Sequence, residues 1–338
     1  MKKHINIPVF IPMMGCPFAC IYCSQTEISG HGKPDFSRIG DEIEEALKTT
    51  DPEKQEIQIA YFGGSFTGID KSDMIYLLET ANRFIKEGRV HSLRCSTRPD
   101  FINPEIVEIL KKYNMRTVEL GVQSTNDRVL EICRRGHRAE TTYKAAELLV
   151  SSGIEFIGQM MVGLPGSSSE DEIETARQIV KMGASGARIY PCVVLKNTAL
   201  AELAKNGEYT PLTFDESVER CEKVFEVFNE AGVNVIRIGL QSNDSLTSGE
   251  DIAYGVYDET VGEKCRSLYF RKMIEKELSK ADCEGKTVTC FVKPSMISCA
   301  TGYKKENKIL LSEKYKTGKL EFKPDPDLSE FGLRIIIH

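Results

Sequence analysis

Residues 11–25 read IPMMGCPFACIYCSQ, and this short stretch decides how the rest of the chain is interpreted. Three cysteines, Cys16, Cys20 and Cys23, lie within it in a C-x3-C-x2-C spacing, and the aromatic Tyr22 directly precedes the third. A loop of this length can wrap three thiolates around one face of an inorganic centre. The sequence therefore predicts a metal or cluster site close to the start of the chain.

Three thiolates in one short loop favour an iron–sulfur cluster over a zinc ion. Structural zinc sites are normally closed by four ligands, usually as two separated pairs, and the residues beside this loop offer no obvious fourth ligand. A [4Fe–4S] cluster is also held by thiolates, usually four of them. We therefore expect a cluster with one iron open to another molecule. A zinc knuckle and three incidental thiols are the alternatives that the loop alone leaves open.

The composition is that of an ordinary globular protein. The chain has 338 residues, of which 41% are hydrophobic and 28% charged, and it is long enough for one large α/β barrel or two domains. The net charge of −6 points to no nucleic-acid or membrane partner for the molecule as a whole, although a local basic patch is compatible with it. No apolar run approaches the length of a membrane span, so no membrane association is expected.

The cysteine content predicts a cytoplasmic protein with reduced thiols. The first eight residues contain no apolar segment of the kind found in signal peptides. The chain has 11 cysteines, an odd number, and most are scattered singly through apolar patterns, as expected for small buried side chains. The eight outside the opening loop are Cys95, Cys133, Cys192, Cys221, Cys265, Cys283, Cys290 and Cys299. A second cluster built from the last four matches no known cluster spacing.

Strand-like and helical patterns alternate from the cysteine loop to about residue 240. The predicted strands cover residues 9–12, 56–62, 93–97, 117–122, 154–162, 187–190 and 233–238. The predicted helices cover residues 41–49, 70–87, 105–113, 126–133, 140–151, 168–182 and 213–229. Such a series predicts a parallel sheet with helices outside it, either as an open doubly wound sheet or as a partial TIM-type barrel.

The unusual motifs all follow strands. They are GGSFTG at 63–68, STRPD at 96–100, GVQS at 121–124, GLPG at 163–166 and the pair Tyr190-Pro191. In both candidate folds the loops after the carboxyl ends of the strands carry the chemistry. We therefore expect these motifs and the cysteine loop to lie on the same rim.

The cysteine loop resembles the signature of the radical S-adenosylmethionine (radical SAM) enzymes, in which S-adenosylmethionine chelates the open iron. A closer resemblance is to the radical SAM half of elongator protein 3. It is carried by FGGSFTG at 62–68, STRPD at 96–100, VELGVQS at 118–124, RGH at 135–137, GLPG at 163–166 and IYP at 189–191. This resemblance implies a partial (β/α)6 TIM-type barrel of the radical SAM type, with Cys16, Cys20 and Cys23 holding a [4Fe–4S] cluster.

The resemblance also implies how the first rim motifs contact S-adenosylmethionine. The turn at Gly63 and Gly64 would present its backbone to the methionine ammonium group, with Ser65 standing where relatives carry an acidic residue. Ser96 occupies the place of a glutamate that holds the ribose in coproporphyrinogen-oxidase-like members. Tyr22 matches the aromatic that packs beside the adenine. A tight strand-to-helix turn is the structural alternative for the glycine pair.

Three further positions match cofactor contacts of the family. Gln123 would bind the ribose hydroxyls, because an amide both donates and accepts. Arg135 would bind the methionine carboxylate through its planar fork. Gln159 stands where relatives commonly have an aspartate. A turn cap for Gln123 and a solvated helix end for Arg135 are the alternatives.

The implied reaction begins with one electron from a low-potential donor of the flavodoxin or ferredoxin type. Reductive cleavage of S-adenosylmethionine yields methionine and a 5′-deoxyadenosyl radical, which takes a hydrogen atom from the substrate. The radical must be shielded from water. Residues 242–262 and the C-terminal extension are candidates for a cover. Tyr190 would meet the substrate or pass a hydrogen atom, with a core tyrosine as the alternative.

The chain departs from elongator protein 3 in two ways. Its cysteine spacing is more compact, and the roughly 100 residues after the core do not suffice for the acetyltransferase domain of that family. The acetyl-CoA-dependent modification is therefore not carried over. We assign residues 1–241 to a radical SAM core and residues 242–338 to a C-terminal extension.

The C-terminal extension has a β–α–turn–α–β pattern that resembles a KH-type RNA-binding element. Lys304 and Lys305 lie at the turn after Gly302, and Lys305 replaces the second glycine of the KH loop. Residues 284–324 contain nine lysines against four glutamates, so this part is locally basic. Lys304 and Lys305 are the candidate nucleic-acid contacts, and a small α/β cap with solvated lysines is the alternative.

These observations support three functional hypotheses. The first is a radical SAM enzyme that modifies RNA, with tRNA as the favoured substrate. The second is a radical SAM enzyme that acts on a small metabolite or a peptide. The third, of another class, is a non-catalytic zinc-binding module.

Overall fold

The computed structural model describes residues 2–11, 16, 20–23 and 35–338. Pro12, the predicted last residue of the first strand, lies outside the described residues. So do residues 13–15, 17–19 and 24–34, which include much of the cysteine loop between and beyond the three cysteines.

Twelve strands form three sheets in the described part of the chain. They are β1 (Lys3–Ile11), β2 (Gln55–Gly63), β3 (Ser92–Thr97), β4 (Met115–Gln123), β5 (Glu155–Val162), β6 (Gly186–Pro191), β7 (Val194–Leu195), β8 (Asn234–Ile238), β9 (Ile252–Tyr254), β10 (Thr287–Val292), β11 (Lys319–Pro324) and β12 (Leu333–Ile337).

The main sheet contains seven parallel strands in the order β1-β2-β3-β4-β5-β6-β8. This order follows the chain without reversal, whereas a doubly wound sheet reverses its order at a switch point. The open doubly wound alternative is therefore wrong, and the predicted partial TIM-type barrel is confirmed.

Twelve α-helices connect or flank these strands within the described ranges. They are α1 (Ile39–Leu47), α2 (Lys71–Lys86), α3 (Pro104–Lys112), α4 (Asp127–Ile132), α5 (Ala139–Ser151), α6 (Ser169–Lys181), α7 (Ala199–Lys205), α8 (Phe214–Glu230), α9 (Asp244–Thr247), α10 (Val261–Leu278), α11 (Ile297–Thr301) and α12 (Glu306–Tyr315).

Polar side chains begin the helices where the sequence predicts. Asp70 caps α2 and Asn103 caps α3, with Pro104 as the first helical residue. Ser168 and Thr213 form capping boxes at the starts of α6 and α8, so backbone donors are satisfied by local side chains. The predicted helix starts in the core are confirmed to within two residues.

Two features differ from the expectations. β1 begins at Lys3, not at Val9, because parallel pairing with the whole of β2 continues the ladder through a polar stretch. Residues 252–254, within a segment expected to be polar and irregular, form β9, which pairs with β7. Neither β7 nor β9 is long enough to show a period in the sequence, since both depend on a partner far along the chain.

The convex side of the main sheet carries the core. Strand residues such as Ile59 and Val118 pack there against helix residues such as Leu77 and Phe228, and all four are fully buried. The concave side is more polar, with the charged residue Glu119 buried on it. The helices therefore cover one face of the sheet and leave the other face for a site.

A smaller unit follows α10. Its three-stranded sheet has the order β11-β10-β12, with β11 parallel and β12 antiparallel to β10. Leu278, Val288 and Leu311 belong to its separate hydrophobic cluster. The predicted order of strand, helix, turn, helix and strand is present. Within the described ranges, none of the helices has both the length and the apolar character needed to cross a bilayer.

A buried ion pair holds the turn after β5. Glu172 of α6 is 2% exposed and accepts hydrogen bonds from the Gly163 backbone at 2.6 Å and from Arg220 Nε at 2.8 Å. Burial raises the pKa of the Glu172 carboxyl, while the hydrogen bond from Arg220 opposes that rise. The carboxylate thus ties α6 and α8 to the GLPG turn on the rim.

Replacing Glu172 by alanine should lower the free energy of unfolding by about 3–5 kcal/mol, because Arg220 and the Gly163 N–H would lose their acceptor in a buried place. Urea denaturation measures this. Glu174→Ala on the same helix is the matched control, since Glu174 is exposed and pairs with its helix neighbours Arg177 and Gln178. The control should change stability by less than about 0.5 kcal/mol. Equal losses in the two variants would contradict the role given to Glu172.

Candidate active site

A cavity of about 360 Å³ lies at the carboxyl edge of the main sheet. Its volume falls in the usual range for small-molecule sites. It is lined by every residue that the sequence singles out in the core: Cys16, Cys20, Tyr22, Cys23, Gly63, Gly64, Ser65, Ser96, Gln123, Arg135, Gln159 and Tyr190. The structure therefore brings together residues that are up to 174 positions apart in the chain, from Cys16 to Tyr190.

The three cysteines face this cavity together. The Cys23 backbone donates to the Cys20 carbonyl at 3.0 Å, and Ile21 donates to the Cys133 carbonyl at 3.2 Å, so the described part of the loop is anchored next to α4. Burial, followed by the neighbouring Cys20 and Cys16, raises the pKa of Cys23 to about 11. No group of three metal-ligating side chains at single-ion distances occurs among the residues that the structure describes.

Two buried arginines contact Cys20. Arg98 Nη1 lies 3.7 Å and Arg135 Nη1 lies 3.6 Å from the Cys20 sulfur. Arg98 is fixed by two hydrogen bonds to Asp100, both 2.9 Å, and by one to the Arg135 carbonyl at 2.6 Å. Adjacent cations stabilise a thiolate, which is the form that binds iron.

Arg98 is not among the site residues predicted from the sequence, although the STRPD motif that contains it is predicted to lie on the rim. The sequence does contain a signal for it: Arg98 directly follows the end of a buried strand, and an acidic partner, Asp100, comes two positions later. Arg135 was identified, but for a different contact. One of its nitrogens donates to the Gly121 carbonyl at 2.6 Å, so part of the fork expected to bind a carboxylate already has protein partners.

The Gly63-Gly64 turn lies directly against the last residue of β1. Gly63 has a φ of +107°, and a Cβ at this position would come within 2.4 Å of the Ile11 carbonyl oxygen. Gly64 donates to the same carbonyl at 2.8 Å. Only glycine fits Gly63, because both the backbone conformation and the space exclude a side chain. The glycine turn therefore positions the chain that leads into the cysteine loop.

Gln123 is directed into the cavity by an irregularity at the end of β4. The register with β5 shifts between Gly121 and Gln123, and Gln123 has a φ of +64°. Such a left-handed residue is rare outside glycine and is a frequent feature of binding sites. A Cβ at Gly121 would come within 2.9 Å of the Gln123 and Arg135 side chains, so this glycine gives both of them room.

Three buried polar atoms around the cavity have no hydrogen-bond partner among the described residues. They are the Tyr22 hydroxyl, Gln123 Oε1 and Arg135 Nε. Buried polar atoms are nearly always paired in folded proteins, so these atoms indicate a ligand. An amide acceptor and a guanidinium donor beside three thiols fit an iron–sulfur cluster and the hydroxyl and carboxylate groups of S-adenosylmethionine.

Part of the cavity lining was not predicted from the sequence. The lining residues that the sequence reasoning did not select as site residues are Thr97, Arg98, Gly121, Met161, Pro191, Val193, Leu195 and Leu240. Five of these eight, Met161, Pro191, Val193, Leu195 and Leu240, are apolar residues, which look the same in sequence whether they face a core or a cavity. Thr97, which is polar, shares a hydrogen bond of 2.6 Å with Thr67 between the two hydroxyls.

The expected cover of the cavity is seen in part. β9 pairs with β7, and Leu195 of β7 lines the cavity, so residues 252–254 brace its wall. Among the residues that the structure describes, none after Leu240 lines the cavity. Residues 263–338 do not line the cavity, and their small sheet packs against α10, whose Ile274 and Leu278 belong to the same hydrophobic cluster.

Lys304 and Lys305 lie away from the cavity, at the start of α12. Both have left-handed backbone conformations, with φ of +48° and +66°. Tyr303 beside them is 61% exposed, and the Lys264 and Lys304 ammonium groups lie 5.4 and 5.2 Å from its ring centre. An exposed aromatic ring flanked by lysines is thus presented to solvent by the turn.

Known protein families and individual proteins resemble this chain in sequence. The Radical SAM superfamily model matches residues 10–179, half of the chain, and the Radical_SAM C-terminal domain model matches residues 184–280. A tRNA uridine(34) acetyltransferase of Methanocaldococcus jannaschii is 35% identical over 160 residues, which cover 46% of this chain and 29% of that protein. Human elongator complex protein 3 is 24% identical over 53% of this chain and 37% of its own length.

The structure of Methanocaldococcus infernus Elp3 lacking its first 46 residues shares the fold. It superposes with a TM-score of 0.62 at 23% identity, over 82% of this chain and 64% of that chain. The chain matches less than half of the length of both curated relatives named above, 29% and 37%. The resemblance to the elongator protein 3 family is confirmed by these matches.

Reconstitution with iron and sulfide should load about four iron atoms per chain, and Cys16→Ala should abolish the broad visible absorbance of the cluster, since three thiolates are needed to hold it. Iron analysis and the absorbance spectrum measure this. Cys299→Ala is the control, because Cys299 lies on α11 outside the cavity and should leave the iron content unchanged. A colourless wild-type protein that holds one zinc ion would contradict the assignment.

Proposed function

The chain belongs to the radical SAM superfamily, and we propose that it is the RNA-modifying type of this family, with tRNA as its substrate. Membership in this superfamily makes the protein an enzyme that binds a [4Fe–4S] cluster and S-adenosylmethionine. It therefore argues against the hypothesis of a non-catalytic zinc-binding module. The observation that carries the proposal is the convergence of all the core candidate residues on one cavity. The substrate rests on separate evidence from the C-terminal extension and from the relatives.

The cavity residues divide into three groups in this proposal. Cys16, Cys20 and Cys23 hold the cluster, and Arg98 and Arg135 place positive charge against the Cys20 sulfur. When bound, the cluster and S-adenosylmethionine supply a one-electron cleavage that yields methionine and a 5′-deoxyadenosyl radical.

The second group orients the cofactor. Gln123 offers an unpaired amide oxygen to the ribose, and Tyr22 places its ring and buried hydroxyl beside the cysteines. The backbone of Gly63 and Gly64, with Ser65, takes the ammonium end. Ser96 and Gln159 add neutral hydrogen-bonding groups, which are weaker ribose ligands than the acidic residues of relatives.

The third group forms the substrate side of the cavity. Met161, Val193 and Leu195 make an apolar wall that keeps water from the reacting atoms. Tyr190 also lines the cavity, and its hydroxyl accepts a hydrogen bond from Arg188 at 3.3 Å. Tyr190 is therefore the residue we place next to the substrate. A flavodoxin- or ferredoxin-type protein would supply the electron.

RNA is favoured by the relatives and by the charge of the extension. Several matched relatives are named as tRNA uridine(34) acetyltransferases, although the match covers only 25–29% of two of them. Here residues 1–241 form the catalytic core and residues 242–338 the extension that contacts RNA. Tyr303 offers a face on which a base can stack, and Lys304 and Lys305 offer charges to the phosphates.

Reversing Lys304 and Lys305 to glutamate should weaken tRNA binding by more than tenfold at low salt, because two phosphate contacts become repulsive. The slope of log affinity against log salt should fall by about two. Fluorescence anisotropy with labelled tRNA at several salt concentrations measures both. The control reverses Lys111 and Lys112, a second exposed pair that also adjoins a tyrosine ring, and it should bind like the wild type. Equal losses in the two double variants would contradict a specific RNA contact.

Deleting the gene should remove one modified nucleoside from tRNA. Mass spectrometry of nucleosides from cells with and without the gene measures this, and a plasmid carrying the wild-type gene should restore the signal while the Cys16→Ala version should not. Unchanged tRNA nucleosides would argue against the RNA substrate and in favour of a small metabolite or a peptide.

A further inference from the structure

The concave face of the main sheet carries a group of charged residues just below the cavity. Arg94, Glu119 and Arg188 each precede a cavity-lining residue by two positions in their strands. Residues two apart in a strand point to the same face. These three side chains therefore form the next layer beneath Ser96, Gly121 and Tyr190.

The layer contains more positive than negative charge. The Glu119 carboxylate, 3% exposed, accepts a hydrogen bond from Arg94 and lies 2.8 Å from Arg188 Nε. One carboxylate thus serves two guanidinium groups. Arg94 is itself 5% exposed, and its Nε has no hydrogen-bond partner in the described part of the chain.

A third arginine adds to this excess. Arg237 of β8 is the register partner of Arg188 on β6, so the two side chains start about 5 Å apart on the same face. Among the described residues, no carboxylate lies within 4.0 Å of the Arg237 guanidinium, and its hydrogen bond is to the Leu240 carbonyl at 3.4 Å. Leu240 lines the cavity, as does Tyr190, which Arg188 contacts.

Like charges directly opposite each other on neighbouring strands destabilise a sheet, and an unbalanced charge in a partly buried place is costly. The other end of the same sheet shows the usual balance. There Arg116 is bound by two carboxylates, Glu56 and Glu155. Here three arginines face one glutamate beside a cavity, although the protein as a whole is acidic. This excess of positive charge indicates that a bound anion balances it.

We propose that Arg188 and Arg237 bind an oxyanion of the substrate beside the cofactor cavity, with Glu119, itself bound by Arg94, holding Arg188 in place. Guanidinium groups present paired donors that match phosphate and carboxylate oxygens. The inference rests on the proposed function for the identity of the anion. For an RNA substrate it is a backbone phosphate next to the nucleotide that enters the cavity, and for a small substrate it is a carboxylate.

Isothermal titration calorimetry of the full-length, cluster-loaded protein tests this site, with inorganic phosphate, uridine 5′-monophosphate and acetate as separate probes. Arg237→Gln should weaken binding of the preferred anion at least tenfold, because charged hydrogen bonds are lost. The affinity of Arg237→Lys for the anion should lie between those of the wild type and Arg237→Gln, since lysine keeps the positive charge and loses the paired donors. Arg116→Gln is the matched control and should bind like the wild type, while the thermal unfolding midpoint of each variant reports on folding.

The probes also separate the sources of the anion. Preference for phosphate and the nucleotide supports a site for an RNA phosphate, and preference for acetate supports a site for a substrate carboxylate. The proposal is overturned if no probe binds the wild type or if folded Arg237→Gln binds the anion as well as the wild type. It is also overturned if Arg116→Gln loses as much anion affinity as Arg237→Gln. These outcomes are independent of the tRNA-binding and nucleoside measurements, so failure of the oxyanion site and failure of the RNA proposal are distinguishable.

Discussion

Parallel pairing along β1, β2, β3, β4, β5, β6 and β8 places the carboxyl end of every strand at one edge of a curved sheet. Each loop that follows a strand must then leave from this edge, whatever its own sequence. The cysteine loop, the glycine turn, the Gln123 bulge and the Tyr190 segment all meet there for this reason. The clearest single contact is the Ile11 carbonyl, which accepts from Gly64 and leaves no room for a side chain at Gly63.

Electrostatics then separates this edge into two environments. Around Cys20, the buried guanidinium groups of Arg98 and Arg135 bring two positive charges into contact with the sulfur. One layer deeper, Arg94, Arg188 and Glu119 form a charged network on the concave face. Both environments are positive although the whole chain carries a net charge of −6. Local charge, not composition, therefore decides what this edge of the sheet can bind.

Structural predictions from the sequence are confirmed where the residue type restricts the local structure that a side chain can form. Asp70, Asn103, Ser168 and Thr213 begin helices as expected, because their short polar side chains pair with free backbone donors. The sequence does not predict the strands β7 and β9, because they form by the pairing of two segments that are distant in the chain. The packing of residues 263–338 away from the cavity lining was likewise not predicted, since no local pattern indicates where a small unit packs against a large one.

The amino-acid sequence by itself determined the strand and helix alternation, the cysteine spacing and the rim motifs, because periodicity, capping and thiol chemistry are properties of nearby residues. Only the tertiary structure decided that the sheet is a sequentially ordered partial barrel, that Arg98 joins Arg135 at Cys20, and that Arg188 faces Arg237. Those facts depend on strand order and register, which bring together residues far apart in the chain. An arginine in a strand has the same appearance in sequence whether its neighbour across the sheet is an acid or another arginine.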